Sequence, residues 1–327
     1  MTETNQFPEP YFVETNGINM AVYEMGPKDG VPVILSHGWP ELAYSWRHQL
    51  PALAKAGFRA IAPDQRGYGK TGGPKGEDNI PAYSIKNLTN DMAGLLDALG
   101  LDKAIFCGHD WGGMVVWQMS LLHPERVSGV IGVNTPFIPR LEMDPIEAMR
   151  AAYGDDMYIV FFQKFGVAEK LLGENTARSM RFFYRKRGIT MSEWEKLPPE
   201  MKNFSFMDGL KAPEETWPGE RLLTDEEYAV YAKAFEETGW EGGINWYRNF
   251  SRNWRETEGV EQKVNVPALM ISAADDVVLS PAMTEGMEKY VPDVEKHIIQ
   301  DCGHWTQSEK PDELNTLMVD WLKRRYA

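Results

Sequence analysis

Residues 106–113, Phe-Cys-Gly-His-Asp-Trp-Gly-Gly, constrain this chain more than any other segment. An apolar run over 103–107 leads in, and an apolar helical run over 114–119 leads out. The glycines of Gly-x-Asp-x-Gly permit a sharp strand-to-helix turn that pushes the central side chain, Asp110, into the open. Most such elbows carry serine. A carboxylate in that place can attack an sp³ carbon and become an alkyl ester itself. The swap narrows the chemistry to opening strained rings or displacing halide.

A chain of 327 residues can hold two average domains, but an α/β fold of this size is often one domain with an insertion. Hydrophobic content of 43% and charged content of 25% are ordinary for a globular protein with a large core. A formal net charge of −14 argues against nucleic acid or an anionic membrane as partner, since both are held by clustered Lys and Arg. No apolar stretch approaches ~18 residues, so no membrane span is expected. The polar, acidic start is unlike a signal peptide, and two cysteines, Cys107 and Cys302, offer no disulfide framework. The cytoplasm is the expected compartment.

Short apolar runs alternate with helical patterns over the first third of the chain. Residues 31–36, 58–63, 104–107 and 127–133 are expected strands, with helices expected over 43–54 and 85–99. That alternation implies right-handed crossovers and a mostly parallel sheet flanked by helices. The pattern breaks after Asn134-Thr135-Pro136. Over 138–258 no buried strand is expected, only helical stretches rich in aromatic and charged residues, separated by Pro and Gly. Strand and helix resume at 267–273, with 294–299 as the last strand and 313–323 as the closing helix. The expected organisation is an α/β core in two parts, residues 1–137 and 259–327, with an inserted all-helical cap at 138–258. Such an insertion covers the carboxyl edge of the sheet, where ligands bind. Its aromatic residues, among them Phe161, Phe162, Phe182, Phe183 and Trp246, are expected to give an apolar pocket.

In a sheet of this topology the catalytic groups run in the order nucleophile, acid, histidine. Asp110 comes first, Asp275 and Asp276 follow the strand ending at Ala273, and His304 stands in Asp-Cys-Gly-His-Trp after the last strand. Alone, each is more often a turn aspartate or a loop histidine. Together, in order, and each at a strand's carboxyl end, they point to chemistry. His304 would deprotonate a water while an aspartate holds its other nitrogen. Spacing does not choose between the two aspartates: one orients His304, and the other caps a turn ahead of Ser280-Pro281, an N-cap and first helical residue. His37-Gly38-Trp39-Pro40 follows the first core strand, where an oxyanion donor sits, so the backbone N–H groups of Trp39 and Trp111 are the expected donors. Each such donor can be worth ~10²–10³ in rate. No ligand spacing such as His-x-x-x-His links His37, His109 and His304, and no metal or cofactor is expected.

His-Gly-Trp-Pro, Gly-His-Asp-Trp-Gly-Gly, Asp-Asp-Val-Val-Leu-Ser-Pro and Asp-Cys-Gly-His-Trp-Thr-Gln together resemble the α/β-hydrolase-fold epoxide hydrolases. The match is closest to the hydrolase domain of soluble epoxide hydrolases and covers essentially the whole chain. Residues 242–249 resemble the segment holding one epoxide-activating tyrosine of the family, which implies Tyr247. The other family tyrosine precedes a Phe-Gln-x-x-Gly-Val-Ala-Glu stretch, here 162–169, which implies Tyr158. Matching residues 268–281 implies Asp276 as the acid. Asp275 departs from the usual pattern, and a second acidic group there is expected to alter how His304 titrates. Neither the amino-terminal phosphatase domain of the animal soluble enzymes nor the membrane anchor of the microsomal ones is expected.

The resemblance implies an enzyme that turns a small apolar epoxide and water into a vicinal diol without a cofactor. Asp110 would attack an epoxide carbon while Tyr158 and Tyr247 hydrogen-bond the oxygen and deliver a proton. Water activated by His304 would cleave the ester, with the Trp39 and Trp111 N–H groups taking up the oxyanion. Haloalkane dehalogenase is the nearest alternative, sharing an aspartate elbow followed by Trp. Trp39 stands where its halide-binding Asn would be, and paired tyrosines suit an alkoxide better than a halide. A ligand receptor on the same fold is a third reading, against which every expected catalytic group is present.

Overall fold

The computed structural model describes residues 7–186 and 188–326. The strands are β1 (Tyr11–Thr15), β2 (Ile18–Met25), β3 (Pro32–Ser36), β4 (Arg59–Pro63), β5 (Ala104–His109), β6 (Val127–Val133), β7 (Arg185–Lys186), β8 (Glu220–Arg221), β9 (Ala268–Ala273) and β10 (Val294–Ile299). Eight of them form one sheet in the order β1-β2-β4-β3-β5-β6-β9-β10, while β7 and β8 pair only with each other. From β4 to β10 all neighbours are parallel. β1 and β2 form an antiparallel hairpin added at the edge, two strands more than the sequence led us to expect. Its turn is Asn16-Gly17, both at positive φ, the backbone a two-residue hairpin demands.

The central strands read as unbroken apolar runs because both faces of the sheet are covered. Alternate side chains divide between the faces. Ile34 and Phe106 join Leu95, Val115 and Met119 of the helices Ile85–Ala98 and Trp111–Leu122. Val33, Leu35, Ile105 and Cys107 join Leu50, Leu53, Met318 and Trp321 of the helices Gln49–Lys55 and Pro311–Tyr326. The helix expected over 43–54 is instead a 3₁₀ turn, Ala43–Trp46, followed by the helix Gln49–Lys55. Pro51 accounts for the break: without an N–H it fits only a helix's first turn, so the helix has to start just before it.

The strand order changes direction at β3, which has β4 on one side and β5 on the other. A crevice opens at such a switch point. Register aligns Ser36 with Gly108, so the loop after β3 and the turn after β5 leave the sheet side by side. Residues 138–258 lie between β6 and β9 and consist of short helices from Pro145–Tyr153 to Phe250–Glu256. The stretch is not all-helical, because β7 and β8 fall inside it. The Arg185 guanidinium draws those two segments together by donating to the carbonyls of Trp217, Pro218 and Gly219. Hydrogen bonds from Tyr184 Oη to the Pro40 carbonyl (3.1 Å) and from Trp246 Nε1 to the Arg66 carbonyl (3.0 Å) hold the helical segment on the sheet. Among the described residues no helix is long and apolar enough to cross a membrane.

Gly112 opens the helix after β5, where a Cβ would run into the backbone oxygens of Ser36 and His37. Neither neighbour is a flexible side chain that can swing away. Gly112→Ala should therefore cost at least ~2 kcal/mol, the range of an overpacked core. The measurement is the urea midpoint, and an unchanged midpoint would contradict the close packing of helix on β3.

Candidate active site

Asp110 stands between β5 and the helix Trp111–Leu122 with φ 50° and ψ −123°, a conformation that costs a non-glycine residue energy unless its surroundings enforce it. The surroundings do so. Thr135 Oγ1 donates to the Asp110 carbonyl at 2.8 Å, and the Trp39 N–H donates to Asp110 Oδ1 at 2.7 Å. The Trp111 N–H is bonded to the same carboxylate. Both backbone donors named from the sequence thus converge on Asp110.

His304 Nδ1 is 2.8 Å from Asp276 Oδ2, and its Nε2 is 3.8 Å from Asp110 Oδ2, too long for a hydrogen bond. Asp276 is buried, and its other oxygen accepts the N–H groups of Val278 and Leu279, each at 3.0 Å. One aspartate therefore does both jobs that we expected to be divided between two. Asp275 turns away, accepting the Met191 N–H at 3.0 Å. Asn134, not singled out from the sequence, reaches Asp276 Oδ2 at 2.7 Å and the His304 carbonyl at 3.2 Å.

A second buried network lies behind these groups. His109 Nδ1 is 2.9 Å from Glu41 Oε2, and its Nε2 is 2.7 Å from the His304 carbonyl. The ring is thereby fixed between the Glu41 side chain and the backbone of the His304 loop. Glu41 also accepts the Gly38 N–H at 2.5 Å and Gln307 Nε2 at 3.1 Å. It ties together the loop before Trp39, the residue before Asp110 and the loop of His304. His37 is committed elsewhere: the Gln65 N–H donates to its Nε2, leaving Nδ1 to donate to the Gly38 carbonyl. Neither Glu41 nor His109 has a local sequence signal beyond its place beside a motif.

Electrostatics follow from burial. Burial pulls the His304 imidazole down, but Asp276, Asp110 and Glu41 outweigh it and lift its pKa to about 9. Burial pushes the Asp276 carboxyl up, and His304, Asn134 and the Leu279 N–H bring it to about 2. Asp110 is raised by burial, opposed by His304, His109 and the Trp39 and Trp111 N–H groups.

Tyr158 begins the helix Tyr158–Phe161, and Tyr247 lies in the helix Glu241–Arg248. Their rings are 5.7 Å apart, and both phenols are raised, first by burial and then by Asp110, so they stay protonated at neutral pH. Two cavities, of about 560 and 430 Å³, share Asp110, Tyr158, Tyr247, Val277 and Val278. Phe182 and Phe183 line the smaller one. The other three aromatics expected there lie elsewhere: Phe162 and Trp246 are fully buried against Trp39 and Tyr68, and Phe161 packs against the core outside both cavities.

Residues 31–311 match the family described as the alpha/beta hydrolase fold. The chain is 40% identical to epoxide hydrolase A of Mycobacterium tuberculosis over 96% of this chain and 97% of that protein. It is 41% identical to bifunctional epoxide hydrolase 2 of Sus scrofa over 96% of this chain but 55% of that protein, so it spans about half the length of the bifunctional relatives. The crystal structure of epoxide hydrolase A from Mycobacterium thermoresistibile superposes with a TM-score of 0.86 at 41% identity, covering 97% of this chain and 98% of the other. That of an epoxide hydrolase from Vigna radiata gives 0.84 at 35% identity, covering 99% and 100%. Fold and sheet-edge site define an α/β hydrolase. Within that class the chain belongs to the epoxide hydrolase family.

The Asp276–His304 pair ties stability to pH with a definite sign. Its contribution is complete between the unfolded values of the two groups, roughly pH 4 to 6.5. It is lost as pH rises through about 9, the folded value of His304, and as pH falls through about 2, that of Asp276. In an NMR titration the His304 ring should titrate near pH 9, and Asp276→Asn should move that midpoint downward. A midpoint unmoved by Asp276→Asn would show that the pair does not hold the proton.

Proposed function

We propose that this chain hydrolyses epoxides to vicinal diols through a covalent ester on Asp110. The observation that carries this reading is the convergence of a buried carboxylate, two protonated phenols and a carboxylate-paired imidazole on one junction between two cavities. Asp110 Oδ1 is held by the Trp39 N–H, so Oδ2 is the oxygen free to attack. Tyr158 and Tyr247 donate to the ring oxygen as its charge develops. The ester carbonyl that results carries its oxygen where the Trp39 and Trp111 N–H groups stabilise a tetrahedral oxyanion. Asp276 orients His304 to activate the attacking water.

Alkylation also prepares the second step. It removes the Asp110 charge, one of the charges that hold the His304 proton. His304 therefore titrates lower in the ester than in the free enzyme and becomes a base when one is needed. The residues doing this chemistry belong to a core of 1–137 and 259–327 under a cap of 138–258. The cap carries both tyrosines, and the core carries the other five groups. Both cavities open from the same junction, which suits an epoxide with a substituent on each side. Free, buried Cys107 and Cys302 accord with a cytoplasmic setting.

His304→Gln should form the ester and fail to cleave it. Intact-protein mass spectrometry after incubation with styrene oxide should show one adduct, mapping to the Asp110 peptide. Adding Tyr158→Phe and Tyr247→Phe to that background should slow adduct formation by ~10² or more. No adduct, or an adduct on another residue, would overturn the covalent reading. An adduct formed at an undiminished rate in the triple variant would remove the tyrosines from it.

A further inference from the structure

Asp276 fixes one nitrogen of the His304 ring, but the backbone that carries the ring has left the sheet and needs anchors of its own. His304 lies in the irregular loop between β10 and the single helical turn Thr306–Glu309. Three backbone groups surround its point of attachment: the Gly303 N–H, the His304 carbonyl and the Trp305 N–H. The carbonyl is bonded to His109 at 2.7 Å and to Asn134 at 3.2 Å. Both N–H groups go to one side chain that the mechanism does not use. Glu309 Oε2 accepts the Gly303 N–H at 3.1 Å, and Glu309 Oε1 accepts the Trp305 N–H at 3.2 Å.

The turn Thr306–Glu309 brings that carboxylate back over the loop. The Glu309 N–H also donates to the Trp305 carbonyl at 2.8 Å, so Trp305 is bound to Glu309 at both its backbone groups. The carboxylate is half-buried. Burial raises its pKa, the Gly303 and Trp305 N–H groups and the His304 charge oppose the rise, and Asp276 adds to it. A side chain that only ended a helical turn would need to hold one N–H. Here two oxygens at a fixed spacing take the peptide groups on either side of one residue, and that residue is His304. Asp276 sets how the ring is rotated, and Glu309 sets where the backbone beneath it stands.

We propose that Glu309 is a positioning residue for ester cleavage, its carboxylate clamping the peptide groups on both sides of His304. This rests on the covalent epoxide hydrolase reading and adds a group to its second step only. Alkylation uses Asp110, Tyr158 and Tyr247, which stand on other elements. In the second step a water proton passes to His304 Nε2 while the water oxygen bonds to the ester carbonyl carbon. The placing of the imidazole decides that rate. The Glu309 charge also favours the imidazolium that forms.

The test follows both steps in one experiment. Enzyme in excess is mixed with styrene oxide and quenched at intervals, and the Asp110 ester is counted by intact-protein mass spectrometry. Its rise gives the alkylation rate and its fall the hydrolysis rate. In Glu309→Gln one oxygen becomes an amide NH₂ that faces an N–H, so only half of the clamp can close. The fall should slow about tenfold to a hundredfold. The rise should match wild type, which also shows that the variant folds. Glu309→Asp keeps both acceptors on a shorter stem and should recover part of the loss. Glu313→Gln, at an exposed acid on the next helix, should change neither rate. Rise and fall slowed by the same factor would overturn the positioning role, as would an unchanged fall in Glu309→Gln. Should Glu309→Gln fail to fold, Glu309→Asp decides by the same two rates: a slower fall alone supports the role, and any other result overturns it. No ester on Asp110 even in His304→Gln would overturn the covalent reading and this role with it.

Discussion

The turn that holds Asp110 at positive φ is the constraint on which the rest of this structure depends. A non-glycine residue stays in that region only where its neighbours over-determine it. Here those neighbours come from every part of the core. β5 delivers the chain to the turn, Gly112 lets the next helix close on β3, and Thr135, just beyond β6, holds the Asp110 carbonyl. Glu41 links the residues on either side of the crevice through Gly38 and His109. The side chain is thus presented at the sheet edge by backbone packing together with the N–H groups its carboxylate accepts.

A carboxylate so placed is expensive to ionise, and the charges around it explain how the cost is met. Burial raises Asp110, while His304 and His109 and two backbone N–H groups favour its charged form. The reciprocal effect raises His304, whose proton is held by Asp276 and Asp110 together. Asp276 is in turn the most fully satisfied acid of the site, with three N–H donors besides the imidazole. Asp110 and His304 are therefore coupled through charge although no hydrogen bond joins them directly. In the proposed mechanism, esterifying Asp110 would lower the basicity of His304.

Much of this was legible in the sequence because it rests on local pattern. The parallel strands show as apolar runs, the elbow as Gly-x-Asp-x-Gly, and the order Asp110, Asp276, His304 as one group after each of three strands. The hairpin β1–β2 was not read, since β1 alternates part-buried and exposed residues and gives no apolar run, though Asn16-Gly17 marks its turn. Asp276 could not be separated from Asp275 by spacing, because the choice is made by which side chain faces inward: one is buried and the other turns to Met191. Glu41 and Asn134 were missed for a related reason. Their partners are 68 and 142 residues away, and no local period reports a contact made across the sheet edge.

In the proposed mechanism Asp110 itself supplies the first oxygen to the substrate. A single turnover in ¹⁸O-water, with enzyme in excess over styrene oxide, tests it most directly. If the ester forms, solvent oxygen enters the Asp110 carboxylate as water attacks its carbonyl, and an old carboxylate oxygen leaves in the product. The first diol should then be largely unlabelled, and the Asp110 peptide should gain the label. A labelled diol from the first turnover, with an unlabelled Asp110, would mean that water attacks the epoxide directly and would contradict the account.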